Sequence, residues 1–123
     1  MSKLNSLIKI AIKNKIIQPE LPKSYKKIIS GNLEKANKNI FNSNGDGIFS
    51  FMKKPEYIKW SEKGKLMGFA EDTFGNSLAF DYRKTNKNPK IVHLDHEYIP
   101  HGKITLVANS FDELVRKGFS DVN

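Results

Sequence analysis

The chain has 123 residues, enough for one domain and too few for two ordinary cores. Its 9 Leu, 13 Ile, 4 Val and 8 Phe give 34 strong core formers, well above the roughly one-fifth below which a charged chain stays disordered. There is no cysteine, which excludes a disulfide scaffold, a thiol nucleophile, an iron–sulfur cluster and any cysteine-built zinc site.

The formal net charge of +8 is unevenly placed. Residues 1–60 carry 12 Lys against Glu20, Glu34, Asp46 and Glu56, for +8, whereas residues 61–123 carry 9 basic and 9 acidic residues, for zero. A basic half points to nucleic acid, an anionic membrane surface or an acidic protein as partner. An AT-rich coding sequence leaves the same mark, with 19 Lys, 12 Asn and 13 Ile but 2 Arg. Arginine is the residue that reads phosphate and guanine bidentately. No apolar run approaches about 18 residues, so no membrane-spanning helix is expected.

Leu4, Leu7, Ile8, Ala11, Ile12 and Ile16 follow the spacing of one helical face, so residues 1–18 are expected to form an amphipathic helix docked on the domain. Lys9 and Lys13 fall on the opposite side, and the lysines inside the apolar stretch break the pattern of a signal peptide. The expected location is cytoplasmic. Leu21 and Pro22 open a second helix with Tyr25, Ile28 and Ile29 on its apolar face, ended by Ser30 and Gly31. Residues 32–47 are rich in Asn and Lys and close on Asn44, Gly45, Asp46 and Gly47, a turn signal.

From Ile48 the period changes to that of strands. Residues 48–52 are expected to be extended, and residues 55–60 to form one helical turn or two. Residues 66–70 and 77–82 flank a turn at Gly75 and Asn76 and predict a hairpin. A loop at 85–89 leads into a strand over 90–94, and another is expected over 104–107. Ser110 and Glu113 fit a capping box; Arg116 and Lys117 sit in the last turn and Gly118 provides the exit. The order predicts an α+β domain: an antiparallel meander with helices packed on one side of the sheet. One domain over 1–123 is expected, with no repeat and no linker.

Chemistry-bearing motifs are sparse. Asn42, Asn44, Asp46 and Gly47 resemble the start of a calcium loop, but the twelfth position, which must supply a bidentate carboxylate, is Lys53. His93, Asp95 and Glu97 would share one face of a strand, with His96 on the other and His101 folding back. They have no fixed ligand spacing, and no metal or other cofactor is expected. There is no phosphate-binding glycine loop and no nucleophile elbow. Glu71 and Asp72 are adjacent rather than opposed across a cleft, so the chain is not expected to be an enzyme.

Five segments occur in a familiar order: Leu21-Pro22 with Tyr25; Gly68 to Asp72; Gly75 to Asp81; Pro89, Ile91 and Val92 with Asp95, His96 and Glu97; and Ser110 to Leu114. Together they span most of residues 20–117 and resemble the SUKH superfamily, which includes bacterial immunity proteins and a yeast cell-wall synthesis regulator. The chain departs from that pattern in a longer stretch between Pro22 and the Asn44-Gly45 turn, which implies an enlarged loop there, and in Asn76, where the family often has aspartate. The resemblance implies an α+β domain with a curved sheet. It also implies a bacterial, non-enzymatic immunity role: binding and neutralising a cognate toxin encoded nearby, often a nuclease.

Nuclease clefts are basic, and their inhibitors commonly present acidic surface. Glu71, Asp72, Asp81, Asp95 and Glu97 cluster in the meander with the aromatics Phe74, Tyr82 and Tyr98, and these eight form the expected partner-binding face. Acids alternating with apolar residues are also what any half-exposed strand shows. A nucleic-acid-binding module using the basic half, or a regulatory protein-interaction domain, are the alternatives; oligomeric state is left open by the sequence.

Overall fold

The structure, a computed structural model, describes residues 19–41, 49–58, 65–95 and 103–119. The helix expected over 1–18, the turn at 44–47, and the candidates His96, Glu97, Tyr98 and His101 lie outside these residues.

The order of elements is α1 (Lys23–Ile29), α2 (Leu33–Ile40), β1 (Ser50–Tyr57), β2 (Leu66–Glu71), β3 (Ser77–Asp81), β4 (Lys90–Asp95), β5 (Lys103–Ala108) and α3 (Phe111–Lys117). The strands form one antiparallel sheet in the order β1-β2-β3-β4-β5, the simplest meander. The architecture is the expected α+β class.

Local chemistry accounts for most boundaries. Pro22 stands at the N-cap of α1, where its missing N–H removes no helical bond. Ser110 caps α3 by accepting from the Glu113 amide at 3.1 Å. Gly118 leaves the helix at φ 72°, in the left-handed region where a side chain is strained.

Two local expectations are corrected. The Asn- and Lys-rich stretch after Gly31 contains α2. Asn32 caps it by accepting from Lys35 N at 3.1 Å, and Leu33, Ala36 and Ile40 carry its inner face. Asparagine has low helix propensity, but the apolar positions three and four apart bury the helix anyway. Asn37 then ties α2 to β1, its Oδ1 accepting from Phe51 N at 2.9 Å. The second correction concerns residues 55–57, expected to be helical, which continue β1. Proline is tolerated there because β1 is an edge strand and the register against β2 shifts between Phe51 and Glu56.

The three helices among the described residues pack on one face of the sheet. Tyr25 from α1, Ile40 from α2, and Phe111 and Leu114 from α3 meet Phe51, Phe69, Leu78, Phe80 and Ile91 in a single cluster. Its centre is aromatic: Phe69 stacks on Phe80 at 4.3 Å between centroids, and Tyr25 meets Phe80 edge-on at 5.0 Å. The opposite face buries a second, smaller cluster of Leu66, Ala79, Val92 and Leu94, flanked by Ile58 and Ile104. Strand alternation sorts the two sets: Leu78, Phe80 and Ile91 point to the helices, while Ala79, Val92 and Leu94 point away.

Candidate functional site

The expected binding residues divide between the two ends of the sheet. Glu71, Asp72 and Phe74 lie at the β2–β3 hairpin. Asp95 lies at the same end, since Leu94 pairs with Ser77 and Ser77 with Glu71. Asp81 and Tyr82 close the other end of β3. That strand is 5 residues long, which separates the two groups by roughly 13–17 Å.

At the hairpin the side chains have different duties. Glu71 ends β2 and is exposed. Asp72 is buried, and its carboxylate organises the turn: Oδ1 accepts from Phe74 N and Asn76 N, both at 2.9 Å, and Oδ2 accepts from Asn76 Nδ2 at 3.2 Å. Gly75, at φ 88°, supplies the left-handed step the turn requires. Residue 76 must donate to a carboxylate here, which asparagine does and an ionised aspartate cannot. The turn so fixed projects Phe74, 55% exposed, from its tip. Asp95 is half-buried at the end of β4, with Lys103 opposite it in register.

At the other end, two of the expected contact residues serve the fold. Tyr82 is buried and its hydroxyl donates to the Glu20 carbonyl at 2.8 Å, so it anchors the chain before α1. Burial raises the pKa of this phenol, with smaller contributions from Tyr57, Glu20 and Tyr25. Asp81 holds Arg83 in a two-point pair, with Nε and Nη2 each at 2.8 Å. The hydrogen bond from the Arg83 side chain is the main reason its carboxyl lies below the usual range. Of the eight expected residues, Glu71, Phe74 and Asp95 therefore share one end of the sheet with some exposure. Asp72, Asp81 and Tyr82 hydrogen-bond within the chain, and Glu97 and Tyr98 lie outside the described residues.

The histidine cluster was a second candidate. His93 is half-buried on the helix side of β4, its ring 5.7 Å from Phe49 and 6.1 Å from Phe119. Those contacts give it a packing role. Among the described residues, no three His, Asp or Glu side chains are grouped as metal ligands would be, and no helix is long and apolar enough to cross a membrane.

A further surface was not anticipated from the sequence. An open groove of about 910 Å³ runs beside β5, lined by Thr105, Leu106 and Val107, with the ends of α2 and α3 at its other wall. Its charged lining residues are Lys38 and Lys117, with His93 in its floor. The signal that could have found it is the makeup of β5 itself, which has β-branched and aliphatic residues, a single charge at its start and no proline.

The model of a protein family described as SUKH_6: SMI1-KNR4 cell-wall matches residues 9–115. No curated protein and no solved structure matches the chain.

Proposed function

The chain belongs to the SMI1-KNR4 (SUKH) family, and from that premise we propose that it is a bacterial immunity protein that works by binding. It neutralises a cognate toxin without catalysis, and the toxin is of the nuclease type. The observation that carries the choice of surface is the β2–β3 hairpin. Phe74 stands exposed on a turn that Asp72 holds by three hydrogen bonds, with the Glu71 carboxylate beside it. A rigid aromatic anchor flanked by negative charge suits a basic nuclease cleft, because little conformational freedom is lost on docking and the Glu71 carboxylate complements cationic side chains at contact range. Asp95, at the same end of the sheet, extends the patch.

The test is co-expression with a toxin-like protein encoded beside this one, followed by native mass spectrometry and a growth assay. A stoichiometric complex and restored growth are expected. Phe74→Ala combined with Glu71→Lys should weaken the complex by about tenfold or more, the scale of an interface hot spot. Full affinity in that variant and in Asp95→Lys would move the contact surface elsewhere. Absence of any toxic partner would overturn the immunity reading itself.

A further inference from the structure

The two edges of the sheet are built differently. β1 carries Lys53, Lys54 and Pro55 in the stretch where its register against β2 breaks, and these are the devices by which edge strands avoid recruiting another chain. β5 carries a single lysine, Lys103 at its start, and no proline over its continuous ladder with β4 from Lys103 to Leu106; its one irregularity is the register shift between Leu106 and Ala108. Its middle is Ile104, Thr105 and Leu106, residues of β-forming or apolar character, with Thr105 exposed and Leu106 56% exposed.

The chemistry on the two sides of this edge differs. Thr105 pairs with His93 and so lies on the helix side, where the groove wall carries Lys38 and Lys117 beside Ile40, Leu114 and Phe119. Leu106 pairs with Val92 and so lies on the other side, where its side chain is exposed. A strand laid along β5 would present alternate side chains to the lysine-bearing groove and to the side on which Leu106 is exposed. The C-terminal ends of α2 and α3 also reach the groove, but each contributes at most about half a negative charge, less than the whole charge of either lysine. Glu34 and Glu113, which pair with these lysines along their helices, do not line the groove.

We propose that this edge is a docking site for an extended segment of an acidic protein partner, with carboxylates alternating with aliphatic residues, which adds to the sheet as a further strand beside β5. Strand addition supplies main-chain hydrogen bonds, and the two side-chain rows supply selectivity. A second copy of this chain is the poorer occupant. Edge-to-edge pairing would bring two lysine-walled grooves together, on molecules of net charge +8. The inference does not rest on the immunity reading, since it specifies the partner segment by its chemistry whatever the partner does.

The probe is a capped, fluorescent eight-residue peptide alternating Val and Glu, compared with its Val–Lys counterpart and with two versions N-methylated on the Val or on the Glu positions. The acidic peptide should bind and the lysine peptide should not. Only one of the two N-methylated peptides should lose binding, because an added strand directs alternate N–H groups to its neighbour. In the labelled protein, the amide shifts should move at Thr105 and Leu106. Lys38→Glu with Lys117→Glu should weaken the acidic peptide by about tenfold, as two exposed charge contacts allow. Equal binding of both N-methylated peptides, shifts confined to β1, no binding of the acidic peptide, or a dimer closed through β5 would each overturn the proposal.

Discussion

Asp72 shows how little a side chain's charge says about its use. By composition it belonged with Glu71 as surface acid, yet its oxygens are occupied by the turn that they shape. The two buried tyrosines make a sharper contrast. Tyr82 donates to a carbonyl, whereas the Tyr25 hydroxyl is buried with no hydrogen-bond partner among the described residues. Tyr82→Phe should therefore cost about 1 kcal/mol, while Tyr25→Phe should be neutral or slightly stabilising in urea unfolding. Burial pushes the Tyr25 phenol up to about 12 from its ordinary value of 10.0. The unfolded chain thus releases this proton at a lower pH than the folded one. The stability it contributes is complete below pH 10 and is lost as pH rises through about 12. The urea midpoint of Tyr25→Phe should fall less between pH 8 and pH 11 than that of the parent protein; an equal fall would contradict this account.

At the scale of elements, α3 is the best specified piece of the chain. It is 7 residues long, too short to stand alone, and depends on its ends and on Phe111 and Leu114. Glu113 is drawn toward Lys117 at 3.0 Å, and that bond is the first cause holding its carboxyl below the usual range, with a backbone hydrogen bond at Asn109 adding to it. Ser110→Ala should cost about 1 kcal/mol through loss of the cap. Gly118→Ala should cost at least as much, because it combines a left-handed backbone with a Cβ only 3.2 Å from the Ile40 carbonyl oxygen. Thermal unfolding of the two single variants checks both values. α2 was harder to foresee: its asparagines read as a loop, and only contact with β1 and the core makes Leu33, Ala36 and Ile40 a helical stripe.

For the whole molecule, the sheet buries apolar side chains on both faces, which a meander with helices on one side does not require. Leu94 is fully buried on the face away from the described helices, as Leu78 is on the face toward them. Leu94→Ala should consequently cost about 2–5 kcal/mol, comparable with Leu78→Ala. A loss below about 1 kcal/mol in urea unfolding would mean that the second face is solvated. The same two-sidedness separates the hairpin surface from the β5 edge. The first is a rigid projection and the second is an unfinished ladder, so they suit different kinds of contact.

The sequence alone determined what depends on neighbours along the chain: the capped α3, the turn at Gly75 and Asn76, the meander of alternating strands and, through motifs in order, the family. These rest on hydrogen bonds and periodicities a few residues long, which the sequence displays directly. Tertiary structure decided what depends on residues far apart: that 55–57 extend β1, that Asp72, Asp81 and Tyr82 hydrogen-bond within the chain, and that Lys38 and Lys117 line one groove beside β5. Whether a polar side chain is free for a partner is set by what the folded chain brings within about 3 Å of it, and linear order does not contain that distance.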